Sequence, residues 1–345
     1  MRPRHSWLVL FALVEAAAGG CSARAKGDVR QFRATPDTLQ RVFDRAQSGD
    51  TIVLQPGVYN DVKLGKRSFE PAITIQADGA TIAGFRAGGV SGLHIVGGTF
   101  TVPAPIAKDS GKLAYGAAMR FDESQHITVE KVHASGPGAP PGAADGPFGE
   151  GYGVQVVGGS DINVIGGSFQ GLKVGIVVGR VTGFRIADNE LAGLRSDGID
   201  VAESRQGVIE GNSCRDTRVR DTEHPDCIQL WSRPTSPPTA DVMIRKNHAT
   251  GHTQGISLFN HTRDGVNDGG FDRITIEDNE VEVAFPNGIA LTEGRDSLVR
   301  NNKVRTLAGA QYIARITTGD GTIRCGNRVA AGAGKAGGDD PPCSR

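Results

Sequence analysis

The chain repeats itself in two ladders that run out of phase. Between Gly153 and Val329 a Gly-Ile-x-Val-like tetrad restarts about every 22 to 35 residues: GVQV from 153, GIVV from 175, GIDV from 198, CIQL from 227, GISL from 255 and GIAL from 288. The second ladder reads Ile186 to Asn189, Ile209 to Asn212, Ile244 to Asn247, Ile276 to Asn279 and Val299 to Asn302. Each period therefore predicts two short strands and an asparagine corner, one coil of a solenoid. A single coil cannot bury its apolar face alone, so coils stack and equivalent positions form columns. The asparagines have a structural role, because Asn tolerates left-handed backbone and stacked Asn side chains hydrogen-bond from coil to coil.

Composition agrees with an elongated β architecture. Glycine is abundant, at 49 residues, and aromatics make up only 6%. The formal net charge is zero, so no global field points to nucleic acid or an anionic membrane. An anionic partner would have to be met by local basic residues.

Residues 1–25 read as an export signal outside the fold. Met1 to His5 is basic, Trp7 to Val14 is apolar but too short to span a bilayer, and small residues lead to Cys21. Ala18-Gly-Gly-Cys21 resembles a bacterial lipoprotein cleavage site; Ala23-Arg-Ala25 offers ordinary cleavage instead. The expectation is a bacterial protein in the periplasm, on the outer membrane if lipidated, or outside the cell. Membrane contact would come only through a lipid at Cys21. Export permits disulfides: Cys214 and Cys227 lie half a coil apart, and Cys325 and Cys343 could pin the tail, or all four could stay free and buried.

Asp37 to Ser48 reads as a short amphipathic helix with Leu39, Val42, Phe43 and Ala46 on one face. GDTIVLQPGVY, residues 49–59, then alternates as a strand and ends at a Pro-Gly turn. A solenoid needs its open end covered. This helix and strand resemble the N-terminal cap of right-handed parallel β-helices of the pectate-lyase superfamily. The resemblance implies an all-β chain: a right-handed parallel β-helix over 30–329 with a short N-terminal capping helix. Residues 330–345 form a loose tail.

Early coils are expected at Ile73–Ile75, Thr81–Ile82, Leu93–Ile95, Ala118–Phe121 and Ile127–Val129. Gly- and Pro-rich inserts at 103–117 and 135–152 interrupt them. Later inserts at 213–225, 232–241 and 260–272 flank the GIxV strands, so that strand face is where a chain-like ligand would lie.

Period two fixes direction in those strands. Ile176, Ile199, Ile228, Ile256 and Ile289 point inward. Val177, Asp200, Gln229, Ser257 and Ala290 point outward, and Arg315 joins them if Ala314 and Ile316 face the core; of these, Asp200, Gln229 and Arg315 are expected to contact the substrate. The residue before each strand gives the column Val174, Asp197, Asp226, Gln254, Asn287. Two residues back the column is Leu172, Arg195, His224, His252, Phe285. Coils sit about 4.8 Å apart, so Asp197 should touch Asp226, with Arg195, His224 and His252 beside them. Two adjacent carboxylates cannot both ionise freely, so one stays protonated near neutrality. The imidazoles could also move protons. Arg218, Arg220 and Arg263 on rim loops could meet carboxylates, Lys173 could neutralise one, and Trp231 could stack on sugar rings.

Two resemblances give these columns a chemistry. Ser196-Asp197-Gly-Ile-Asp, Pro225-Asp226-Cys-Ile, Gly251-His252-Thr-Gln-Gly-Ile-Ser and Arg315-Ile-Thr resemble motifs of the family 28 polygalacturonases. That resemblance implies Asp197 activating water, Asp226 donating a proton, His252 assisting and Arg315 binding substrate. Pro225 replaces one of that family's three catalytic aspartates, and Thr317 replaces its lysine. Glu223-His-Pro-Asp226 has the composition, though not the order, of a motif in mannuronan C5-epimerases, and the outward His, Asp and Arg are similar to those of bacterial uronate lyases. Here Arg195, Arg220 or Lys173 would neutralise the uronate carboxylate, His224 would be the base and His252 the acid.

The leading expectation is a lyase or epimerase of a uronate-containing polysaccharide. A polygalacturonase-like hydrolase is the alternative, and a non-catalytic glycan-binding or surface structural protein the second. No metal site or cofactor is expected: there is no paired CxxC and no GGxGxD calcium repeat. Nucleic acid is not an expected partner.

Overall fold

A computed structural model describes residues 30–108, 110, 113–137, 149–218, 223–233, 237–260, 269–330 and 338–344. The proposed signal, Cys21, Arg220 and Arg263 lie outside the described residues.

The chain winds as one parallel β-helix whose successive coils pair in register. The first ladder contains Val174–Gly179, Ile199–Ala202, Asp226–Ser232, Gln254–Asn260, Asn287–Leu291 and Arg315–Thr318. Ile176, Ile199, Ile228, Ile256 and Ile289 are successive partners along it, and all are buried. The second ladder runs through Thr182–Ala187, Arg205–Glu210, Thr239–Arg245, Thr275–Glu277, Ser297–Arg300 and Thr322–Cys325.

The coils hold three strands, not the expected two. Segments such as Glu190–Ala192 and Ser213–Arg215 form a third ladder after the asparagine corner. Three residues are too few to show a period of two, so pattern alone could not reveal them.

The tetrad glycine has a steric cause. A Cβ on Gly198 would lie 2.4 Å from the Cys227 carbonyl oxygen, and one on Gly255 would lie 2.1 Å from that of Gly288. Where Cys227 replaces the glycine, its side chain instead closes a disulfide to Cys214.

The asparagines are buried in one column, Asn189, Asn212, Asn247, Asn279, Asn302 and Asn327. Each of the first five donates its side-chain amide to the Oδ1 of the next, over 2.8–3.0 Å. The left-handed residue is the one before: Asp188, Gly211, Lys246, Asp278, Asn301 and Gly326 have positive φ. Stacking, not backbone tolerance, therefore selects asparagine at these positions.

Both ends are covered. The helix Leu39–Arg45 buries Leu39 and Phe43 over the first coils, with Phe43 edge-on to Phe69. Arg67 donates to the carbonyls of Phe43, Asp44 and Ala46, satisfying the helix C-terminus. At the other end, residues expected to be loose are tied back. Cys343 bonds to Cys325, and the Asp340 carboxylate accepts from Asn327 Nδ2 and Arg324, closing the asparagine column.

Candidate active site

Asp197 sits in the turn before the strand Ile199–Ala202, and Asp226 opens the strand one coil on. The register Ile199 to Ile228 places them side by side. The Asp226 N–H donates to Asp197 Oδ1 at 2.8 Å, and the Gly198 N–H donates to the Asp226 carbonyl at 2.8 Å. Ser196 Oγ donates to Asp197 Oδ2 at 2.9 Å. Gln229 Nε2 donates to Asp226 Oδ2 at 3.0 Å, and His224 Nδ1 lies 3.7 Å from the same oxygen.

A third carboxyl completes the group. Asp200, expected among the substrate contacts, points outward from the same strand as Asp197's turn, with Gln229 as its neighbour in the next coil. Asp200 Oδ1, Asp226 Oδ1 and Ser257 Oγ are buried without a hydrogen-bond partner among the described residues.

Electrostatics follow from this crowding. Burial, then repulsion from Asp226, lifts Asp197 to about 6. Burial, then repulsion from Asp197 and Asp226, lifts Asp200 well above the carboxylate range, with Lys173 opposing. Burial also raises Asp226, against the pull of His224; Ser257 tempers that rise although its hydroxyl sits outside hydrogen-bonding geometry. His224 is raised in turn, chiefly by the Asp226 carboxyl 3.7 Å from its Nδ1. The carboxyls of the cluster are thus raised toward the range in which a group can give or take a proton.

The other expected residues divide. His224 joins the cluster: its side chain is 70% exposed while that of Asp226 is fully buried, and its ring meets Phe259 edge-on. His252 is exposed and makes no hydrogen bond or ion pair among the described residues. Arg195 is buried and paired. Its side chain is only 6% exposed and is clamped between Glu150 and Glu223, with Nε 3.1 Å from Glu223; the two glutamates draw it inward. Lys173 is half-buried near Asp200. Trp231 is half-buried, carries Arg233 over its ring at 4.8 Å and is the strand partner of Phe259.

Arg315 is exposed, and Ala314 and Ile316 are buried as expected. Its column is different, however. An irregularity between Asn287 and Ile289 pairs Asn287 with Arg315 and Ala290 with Thr317. Arg315 therefore continues the Asp197–Asp226 column, and Thr317 continues that of Asp200. Sequence reasoning missed the Glu150 and Glu223 clamp, because Glu150 lies in an insert outside the repeat. Among the described residues, no group of three or more His, Cys, Asp or Glu is arranged to hold a metal ion.

The right-handed β-helix region matches residues 152–324, half of the chain. The chain belongs to the right-handed β-helix family. Several solved structures share this family's fold with it. An alginate lyase from Paenibacillus sp. aligns at 16% identity and a TM-score of 0.55, covering 85% of this chain and 99% of that one. A family 28 exopolygalacturonase from Yersinia enterocolitica aligns at 12% identity and 0.53, covering 87% and 76%. PfbA, a surface adhesin of Streptococcus pneumoniae, aligns at 11% identity and 0.53, covering 81% and 79%. At such identities the likeness is one of fold. No curated protein sequence matches the chain.

Proposed function

We propose that this β-helix is a glycoside hydrolase that cleaves an extended acidic polysaccharide lying along its first strand ladder. One observation carries the reading: three carboxyls, Asp197, Asp200 and Asp226, crowd together on the first strand ladder, and burial and mutual repulsion raise them above the ordinary carboxylate range. The family 28 resemblance lacks one aspartate at Pro225, and Asp200 restores the count of three from the neighbouring coil.

The roles follow from access. Asp226 has no exposed side-chain surface, whereas Asp200 is only partly buried. Asp200, holding its proton, donates it to the glycosidic oxygen as the bond to the anomeric carbon breaks. Asp197, ionised above about pH 6, takes a proton from the water that attacks that carbon. Asp226 fixes Asp197 through its N–H and draws His224 toward its protonated form. Exposed Arg315, which makes no ion pair among the described residues, supplies a cation for a sugar carboxylate.

Elimination, the leading expectation from sequence, is less well served. It needs a cation on the uronate carboxylate and an unprotonated base. Arg195 is engaged by two glutamates, which leaves Lys173 and Arg315 as the described cations for the carboxylate, and His224, the expected base, is pushed toward its protonated form. The structural neighbours named as a lyase and a polygalacturonase agree with a polysaccharide substrate and do not choose between the two chemistries.

The test is incubation with polygalacturonate, alginate and neutral glycans. New reducing ends without ultraviolet absorbance from an unsaturated product support hydrolysis, provided Asp200→Asn abolishes them. Unsaturated product would replace hydrolysis by elimination. Binding without turnover on every glycan would leave the second alternative, a glycan-binding protein.

A further inference from the structure

Two coils beyond Asp226 the same edge of the groove changes character. Phe285 stands two residues before Asn287, as His224 stands two before Asp226, so it continues the histidine column. Its segment is tied to the His252 turn by the Ala284 N–H, which donates to the Gly251 carbonyl at 3.0 Å. Tyr312, one coil further, lies on Phe285 with ring centroids 6.3 Å apart and planes only 22° from parallel. The Arg315 N–H donates to the Pro286 carbonyl at 3.0 Å and locks the two segments together.

This pair is not closed over by the described residues. Tyr312 is 46% exposed and Ile313 beside it 43%, while Phe285 is half-buried. Large apolar side chains left adjacent on a surface mark a contact site more often than chance exposure does. Arg315, exposed and without an ion pair among the described residues, follows three residues after Tyr312. An aromatic face beside a free guanidinium suits a sugar ring that carries a carboxylate: the apolar face of the ring packs on the aromatic, and the charge pairs with Arg.

We propose that Phe285 and Tyr312 form a distal sugar-binding platform for the same polysaccharide, holding a ring that is not adjacent to the bond cleaved. This rests on the reading of the groove given under Proposed function. Strand spacing puts the platform two to three coils, or roughly 10–14 Å, from Asp226, so more than one sugar separates it from the reacting carbon. The platform thus selects for chain length and holds the polymer in register without touching the chemistry. Asn287, Arg315 and Tyr312 would form its floor, charge and wall.

Affinity electrophoresis of the full chain in gels containing polygalacturonate tests this, with Tyr312→Ala, Tyr312→Phe and Asp200→Asn run beside the wild type. Tyr312→Ala should need roughly tenfold more polymer for the same retardation, the loss of one stacked contact. Tyr312→Phe and Asp200→Asn should migrate as the wild type does. In turnover assays Tyr312→Ala should raise KM for the polymer, with kcat and the KM for a disaccharide unchanged. Wild-type retardation with no weakening in Tyr312→Ala would overturn the platform and leave the groove standing. Equal losses on polymer and disaccharide would also overturn it, by placing Tyr312 next to the reaction. No retardation of the wild type would overturn the acidic-polysaccharide groove, and the platform with it.

Discussion

The backbone N–H of Asp226 donates to Asp197 Oδ1 across 2.8 Å, from one coil of the solenoid to the next. A carboxylate that accepts from the backbone of a second acid cannot move away from it, so the two charges are held together by the fold itself. The same N–H lowers Asp197 while the Asp226 charge raises it, and burial outweighs both, leaving it near 6.

That geometry makes activity separable from stability. Asp197→Asn keeps the shape and can still accept the Asp226 N–H, but it removes the base. Asp200→Asn removes the proton donor. Each should lower kcat on the hydrolysed glycan by about 10²–10⁴, with circular dichroism unchanged and the melting temperature at or above that of the wild type. A variant that lost activity only in proportion to lost fold would argue that the carboxyls are structural.

The pH dependence of stability has a definite sign. Asp197 binds its proton more tightly folded, at about 6, than unfolded, near the ordinary 3.8. Its contribution is therefore complete below about pH 4 and lost as pH rises through about 6, on the order of 3 kcal/mol in all. Asp200 and Asp226 are raised as well and act in the same direction. His224 is a base with a raised value, so its contribution also disappears as pH rises. Thermal melts should show the wild type losing stability from about pH 4 to pH 7, and Asp200→Asn should flatten that decline. A wild type that gained stability over this range would contradict the crowded cluster.

The fold was largely readable because its causes are local and repeated. The isoleucine column, the asparagine corner and the Asp197–Asp226 contact all follow from one register, and that register holds across the first ladder. What could not be read depends on departures from the repeat. The irregularity after Asn287 moved Arg315 by one column. Glu150, far off in an insert, turned Arg195 from a candidate catalytic cation into a buried ion-pair partner. Asp200 was correctly placed as outward, but its part in a three-carboxyl cluster depends on burial, which spacing does not report.

Arg195 offers a sharper check of that reassignment. Removing the buried Arg195 takes an ion-pair partner from both Glu150 and Glu223, a change that typically costs about 3–5 kcal/mol. Arg195→Met should therefore melt well below the wild type. At a temperature where it is folded, its kcat should remain within a few-fold of normal. A large kcat loss with an unchanged melting temperature would return Arg195 to the reaction.

The Cys214–Cys227 disulfide joins stability to the site. It closes a loop of 13 residues, for which chain entropy predicts about 3 kcal/mol, and Cys227 directly follows Asp226. Without the bond, the start of that strand is held by the Asp226 N–H to Asp197 and the Gly198 N–H to Asp226. Reduction should therefore disturb the carboxyl pair before the solenoid unfolds, because the long ladders on either side keep their own pairing. Cys214→Ser combined with Cys227→Ser should lower the melting temperature and should also raise the loss of kcat on mild heating, at temperatures where far-ultraviolet circular dichroism is still native. The double variant isolates this bond from Cys325–Cys343, which reductant would open as well. If activity and circular dichroism fell together, the disulfide would be stabilising the coil as a whole and not positioning Asp226.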